Sequence, residues 1–247
     1  MTESLRLARR LADQLGCSRR EAELYIDGGW VCVDGVLAEQ PQLRVGAAQQ
    51  VTLDPQARAE PAEPVTILLH KPPGWLSQEV QGPHDAIRLL DASHHAADDR
   101  SGVRPVRRHV RDQPCVTPLE TAASGLVVFT LQWQIRRKLV EEAAFVEHEL
   151  VVEVEGAVSP QALAALNRAP VIDGRAMLPA KVSITGSSEA KTALRFAMKG
   201  HYHGQIAQMC NGQRLKILGI KRIRIGRIPL AGLASGQWRY LMPYERF

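Results

Sequence analysis

No apolar run in this 247-residue sequence approaches the roughly 18–20 residues needed to cross a membrane as a helix. That argues against a membrane-spanning protein. The chain begins Met-Thr-Glu-Ser-Leu-Arg, without the apolar stretch of a secretory signal, so a cytoplasmic location is expected. Cysteine is scarce and scattered: Cys17, Cys32, Cys115 and Cys210 form no Cys-x-x-Cys pair. A disulfide framework and a zinc site are therefore not expected, and a reducing compartment is. Aromatic residues make up only 5%. No repeat of 20–50 residues is visible, which excludes a solenoid or propeller. His94-His95 and Asp98-Asp99 lie side by side, but neighbours on one element do not converge on a metal. Residues 78–102 read as a polar loop, and no metal site is expected.

What is present is an ordinary globular composition, 45% apolar and 23% charged, with a net charge of +5. The length allows more than one domain. The basic residues are concentrated. From Lys199 to Phe247 nine lysines and arginines face one acid, Glu245, and Arg104, Arg107, Arg108 and Arg111 form a second cluster. Local excess of positive charge suits a polyanion such as nucleic acid.

Residues 1–53 read as a compact unit. Leu5, Leu7, Leu11 and Leu15 interleave with Arg6, Arg9 and Arg10, so one helix can bury leucine and present arginine. Ser18 followed by Glu21 is a capping box for a second helix, which Gly28-Gly29 ends. Trp30 to Val33, the Asp34-Gly35 turn and Val36-Leu37 read as a hairpin, and Val45 to Leu53 as a last strand. Residues 54–64, with three prolines and no large apolar side chain, read as an extended linker.

From residue 65 on, strands alternate with a few helices, which predicts a mixed, mainly antiparallel α+β domain over 65–247. Strands are expected over Val65–His70, Leu126–Thr130, Glu149–Val154, Ala180–Thr185, Thr192–Met198, Leu215–Ile225 and Gly236–Leu241. Helices are expected over Trp133–Glu142 and Gln161–Asn167, the latter opened by Ser159-Pro160, with another beginning at Gln205. Ahead of Leu126, the loop from Thr117 carries one carboxylate, Glu120. A lone acid in a loop feeding a buried strand is either a solvated charge or a catalytic group.

Two resemblances follow from these stretches. Arg6-Leu7, Leu11-Ala12, Cys17 to Ala22, Ile26, Gly29, Val31 to Gly35 and Val51 resemble the small α-L type RNA-binding domain of a ribosomal protein and many RNA-modifying enzymes. The resemblance implies phosphate contacts from Arg6, Arg9, Arg10, Arg19 and Arg20. Leu69 to Gly74, Leu119 to Thr130, Gln205-Ile206 with Met209-Cys210, and Lys221 to Gly226 with the segment to Leu241 resemble ribosomal-RNA pseudouridine synthases. This implies an RNA partner, ribosomal first, a monomer, no membrane, no cofactor and no metal, with RNA contacts extended to Lys221, Arg222 and Arg224.

The reaction that the resemblance implies breaks the uridine glycosidic bond, rotates the uracil and rejoins it through carbon. It uses an aspartate, an arginine paired with it and a tyrosine beneath the flipped base. A cation keeps such a carboxylate ionised, and an aromatic face supports an unstacked base. Here the aspartate position is Glu120, and the arginine two residues before it is Pro118. The tyrosine position is Leu150, and the arginine after Gln205-Ile206 is Ala207. The base pocket would thus involve Leu150, Ala207 and Gln205. Two readings stay open: an RNA-binding protein on this scaffold with little or no isomerase activity, or an active synthase using Glu120, with His201, His203 or Arg214 replacing the arginine.

Overall fold

The computed structural model describes residues 4–61, 63–77, 82–111, 113–172, 174–200 and 203–247. The chain divides into two compact units, Met1–Pro64 with Arg104–Asp112, and Val65–Val103 with Gln113–Phe247.

The first unit runs β1 (Leu5–Arg6), α1 (Leu7–Leu15), α2 (Arg19–Asp27), β2 (Val31–Val33), β3 (Val36–Leu37), β4 (Arg44–Val45) and β5 (Val51–Leu53), with α3 (Arg107–Val110) from the later segment. In α1, Leu7 and Leu11 are buried while Arg9 faces solvent. The capping box at α2 forms: Glu21 N–H donates to Ser18 Oγ at 3.2 Å, and Ser18 N–H donates to Glu21 Oε2 at 2.8 Å. Asp34 and Gly35 both take positive φ, 51° and 79°, as a mirror-image hairpin turn requires. Val45 to Leu53 is not one strand. β4 pairs with β1 and β5 with β2, because a turn intervenes in which Gly46 N–H donates to Gln49 Oε1 at 3.0 Å. Ala22, Ile26, Val31, Val45 and Val51 join the α1 leucines in an aliphatic core.

The second unit contains β6 (Thr66–Lys71), β7 (Ser124–Thr130), α4 (Trp133–Arg136), β8 (Glu147–Glu155), α5 (Pro160–Leu166), β9 (Val171–Ile172), β10 (Arg175–Ala176), β11 (Lys181–Ser187), β12 (Lys191–Lys199), α6 (Gln205–Gly212), β13 (Ile217–Ile225), β14 (Ile228–Pro229) and β15 (Trp238–Tyr240). Its main sheet has the order β11-β12-β8-β13-β7-β6-β15, with β14 attached to β13. Every neighbouring pair is antiparallel except β7 and β13. This is the mixed, mainly antiparallel α+β architecture expected from the sequence. β6 is buried at all six positions. On β8, His148, Leu150, Val152 and Val154 point into the core, and Glu147, Glu149, Glu153 and Glu155 take the alternate positions.

Two local expectations change. The helix after β7 is α4 for one turn and then a π turn over Arg137–Glu141. The described part of the 78–102 loop holds two short 3₁₀ turns, Ala86–Leu89 and Ala92–His94. There His94 and His95 turn to different carboxylates, Asp91 at 2.9 Å and Asp99 at 2.8 Å. Among the described residues no His/Cys/Asp/Glu group could hold a metal ion, and no helix is long and apolar enough to cross a membrane.

Three strands are cross-tied by charge. Glu149 of β8 accepts from Arg224 of β13 at 2.7 Å and from Arg195 of β12. Arg224, and then Arg195, hold the buried Glu149 carboxyl down to about 2, against an ordinary 4.5. The unfolded chain takes up this proton near 4.5, so the stabilisation is complete above that pH and disappears as pH falls toward 2. Glu149→Gln should therefore lower stability at neutral pH by about 2 kcal/mol and flatten the acid limb between those values. Urea midpoints measured at neutral pH and near pH 3 check this. A variant as acid-sensitive as the parent would contradict it.

Candidate functional site

The site grows from two buried cations under one loop. Lys71 ends β6, and Arg222 lies in β13; both are fully buried. Lys71 Nζ donates to the carbonyls of Trp75 at 2.8 Å, Pro72 at 3.0 Å and Thr121 at 3.3 Å. Arg222 Nε donates to Leu126 O at 2.7 Å, Nη1 to Pro118 O at 3.4 Å, and Nη2 to Thr117 O. Ser77 grips the same loop from another side: its hydroxyl donates to Leu119 O and accepts Leu119 N–H, each at 2.8 Å. Carbonyls at 117, 118, 119 and 121 are thus all turned inward. A loop with this many fixed backbone groups is rigid, and it carries Glu120 at its middle.

Burial of the two cations shapes their chemistry. Desolvation, helped by the Arg222 charge, lowers Lys71 to about 8, and Glu120 opposes that shift. Desolvation lowers Arg222 to about 10, opposed by Cys115 and Glu120. Glu120 is therefore the carboxylate whose field favours the charged form of both.

Glu120 reaches α6. Its Oε1 accepts the backbone N–H of Gly204 at 2.7 Å, and Gly204 is the residue that caps the start of that helix, with φ of 77°. An anion at a helix N-terminus meets the positive end of the aligned peptide dipoles and satisfies a backbone donor there. α6 in turn buries Gln205, Ile206, Met209 and Cys210. Beside this contact lies a cleft of about 90 Å³ lined by Val116, Thr117, Pro118, Leu139, Ala143, His148, His203 and Arg222.

The expected site residues are only partly brought together. Pro118 and His203 line the cleft, and Glu120 bonds the residue after His203. The expected base-pocket residues Leu150, Ala207 and Gln205 are absent from its lining. Leu150 is packed in the core at 0% exposure, Gln205 is buried in α6, and Ala207 is half-buried there. Arg214 follows the far end of α6, roughly 12 Å of helix away from the Glu120 contact. It is thus misplaced as a partner for that carboxylate. His201 lies outside the described residues.

Among the expected phosphate contacts, Arg6, Arg9, Arg19 and Arg20 are exposed, and Arg10 is half-buried. Arg9 and Arg19 make surface pairs with Asp13 at 3.9 Å and Glu23 at 3.0 Å, which are weak in water. Lys221 is exposed. Arg222 requires correction: a fully buried guanidinium bonded to three carbonyls has no surface to offer a phosphate. Arg224 is three-quarters buried and shared between Glu147 and Glu149, so its charge is already offset. Lys71, Ser77 and Gly204 belong to this site without having been expected there. Lys71 has a local signal, a lysine closing an apolar strand just before two prolines; Ser77 and Gly204 have none.

No protein-family model matches the chain. It is 26% identical over 243 residues to the dual-specificity RNA pseudouridine synthase RluF of Escherichia coli K12, covering 98% of this chain and 77% of that one. It is 24% identical over 246 residues to the ribosomal large subunit pseudouridine synthase B of Bacillus subtilis, covering 97% and 93%. A crystal structure of a pseudouridylate synthase superposes with a TM-score of 0.58 at 20% identity, over 97% of this chain and 96% of the other. Along almost its whole length, then, this chain resembles the ribosomal-RNA pseudouridine synthases, and it has a pseudouridine synthase fold.

Proposed function

We propose that this protein binds RNA, ribosomal RNA foremost, on a pseudouridine synthase scaffold whose reaction centre has become structural. The first unit serves as an α-L type RNA-binding domain through the arginines of α1 and α2. The observation that carries the reading is the Glu120–Gly204 hydrogen bond. It sets the carboxylate at the expected aspartate position to anchoring α6. Three further features support it: proline at 118, leucine buried at 150 and alanine at 207 in place of the expected arginines and tyrosine.

The competing reading, an active synthase using Glu120, draws on the similarity to proteins named as pseudouridine synthases and on the Coulombic coupling of Glu120 to Lys71 and Arg222. The deciding experiment incubates the purified protein with ribosomal RNA from cells lacking it and maps pseudouridine by reverse-transcription stops. No protein-dependent stop is expected. Glu120→Gln should keep RNA affinity unchanged but cost more than the roughly 0.3–1 kcal/mol of a charge at a helix start, because the same carboxylate also favours the charged forms of the buried Lys71 and Arg222. A stop that depends on the protein and disappears in Glu120→Gln would overturn the structural reading.

A further inference from the structure

The first unit is acidic without its late segment. Residues 1–64 hold seven arginines, no lysine and ten acidic residues, whereas residues 104–112 hold four arginines and one aspartate. The segment brings the unit from an excess of three acids to balance.

It docks at specific points. Val106 is buried, and its Cγ1 sits where a side chain on Gly29 would be, 2.8 Å from the position of a Cβ there. Arg104 lies over the Trp30 ring, 4.7 Å from its centroid, and pairs with Asp54 at 3.2 Å. Glu39 Oε1 accepts the Arg107 backbone N–H at 2.6 Å. Arg108 pairs with Asp27 at 2.6 Å. Asp27 ends α2, where a negative charge is disfavoured by the helix dipole, so Arg108 relieves a specific conflict. Arg104 and Arg108 thus each pair with an acid of the unit. The side chains of Arg107 and Arg111 are exposed.

We infer that residues 104–111 form a strap completing the RNA-binding surface of the first unit: Arg104 and Arg108 cancel its acids, and Arg107 and Arg111 contact RNA phosphates. This rests on the RNA-binding reading given above and adds residues that lie far from the first unit in sequence. A polyanion approaching an acidic domain is repelled at long range; one approaching the strapped domain meets arginines over a neutral body.

The test measures binding of the full chain to a fluorescein-labelled RNA hairpin by anisotropy across a salt series. The parent should bind with a steep log–log salt dependence. Arg107→Gln/Arg111→Gln should weaken binding severalfold and lower the slope by about 0.9 for each phosphate no longer neutralised, with the native far-ultraviolet circular dichroism retained. Val106→Glu, which undocks the strap, should weaken binding at least as much; because it also disturbs packing, the glutamine pair is the decisive variant. If the parent binds steeply and the glutamine pair binds identically, the strap inference fails and the RNA-binding reading stands. If the parent itself does not bind, both fail.

Discussion

Gly125→Ala should be close to unfolding the second unit. Gly125 has a φ of 116°, and a Cβ built on it would lie 2.3 Å from Arg222 O and 2.5 Å from Arg222 N. Those neighbours are backbone atoms of β13, so no side chain can swing aside. The contact sits at the one parallel join of the main sheet, where Lys221 pairs with Ser124 and Arg222 with Gly125. Backbone strain at such a φ costs about 1–3 kcal/mol, and overpacking a filled interior about as much again. Together these approach a typical domain's whole stability of about 5–15 kcal/mol. Gly16→Ala is the control: its φ of 65° is also left-handed, but nothing lies within 4 Å. It should cost only about 1–2 kcal/mol. Urea midpoints and near-ultraviolet circular dichroism distinguish the two. A Gly125→Ala variant as stable as the control would mean that β7 and β13 can separate without penalty.

Several features are legible in the sequence because their causes are local. The Ser18–Glu21 capping box, the Asp34-Gly35 turn and the Ser159-Pro160 helix start each depend on residues within a few positions of one another. The alternation along β8 is a local period as well. What escapes a sequence reading depends on distance along the chain. Arg108 meets Asp27 across 81 positions, and Arg104 meets Asp54 across 50, so the strap's membership of the first unit leaves no pattern to read. Arg222 misleads because a run rich in basic residues suggests a solvated strand. β13 lies between β8 and β7, where a strand can be covered on both faces and charge density no longer reports exposure. Resemblance singles out Glu120, but its bond to Gly204 joins residues 84 positions apart.

Arg222→Met should destabilise the second unit by about 3–5 kcal/mol, although methionine roughly fills the space. The guanidinium satisfies the carbonyls of Leu126, Thr117 and Pro118 from the interior, and a thioether satisfies none of them. Arg222→Lys should recover only part of the loss, because one ammonium lacks the fork that spans three acceptors. Two readouts separate this role from a phosphate contact. The folded fraction of Arg222→Met should bind RNA with an unchanged salt slope, whereas removing a phosphate contact would lower that slope by about one. The damage should also be directional. Thr117 and Pro118 lead into Glu120, and Glu120 holds Gly204 at the start of α6. Hydrogen exchange should therefore accelerate at the Gly204 amide, which Glu120 accepts, and at Gln208, whose N–H closes the start of α6 on Gly204 O, while amides pairing β6 with β15 stay protected. Uniform acceleration over both would mean that Arg222 supports the sheet as a whole. Acceleration confined to α6 would make it the fastening of the loop that carries Glu120.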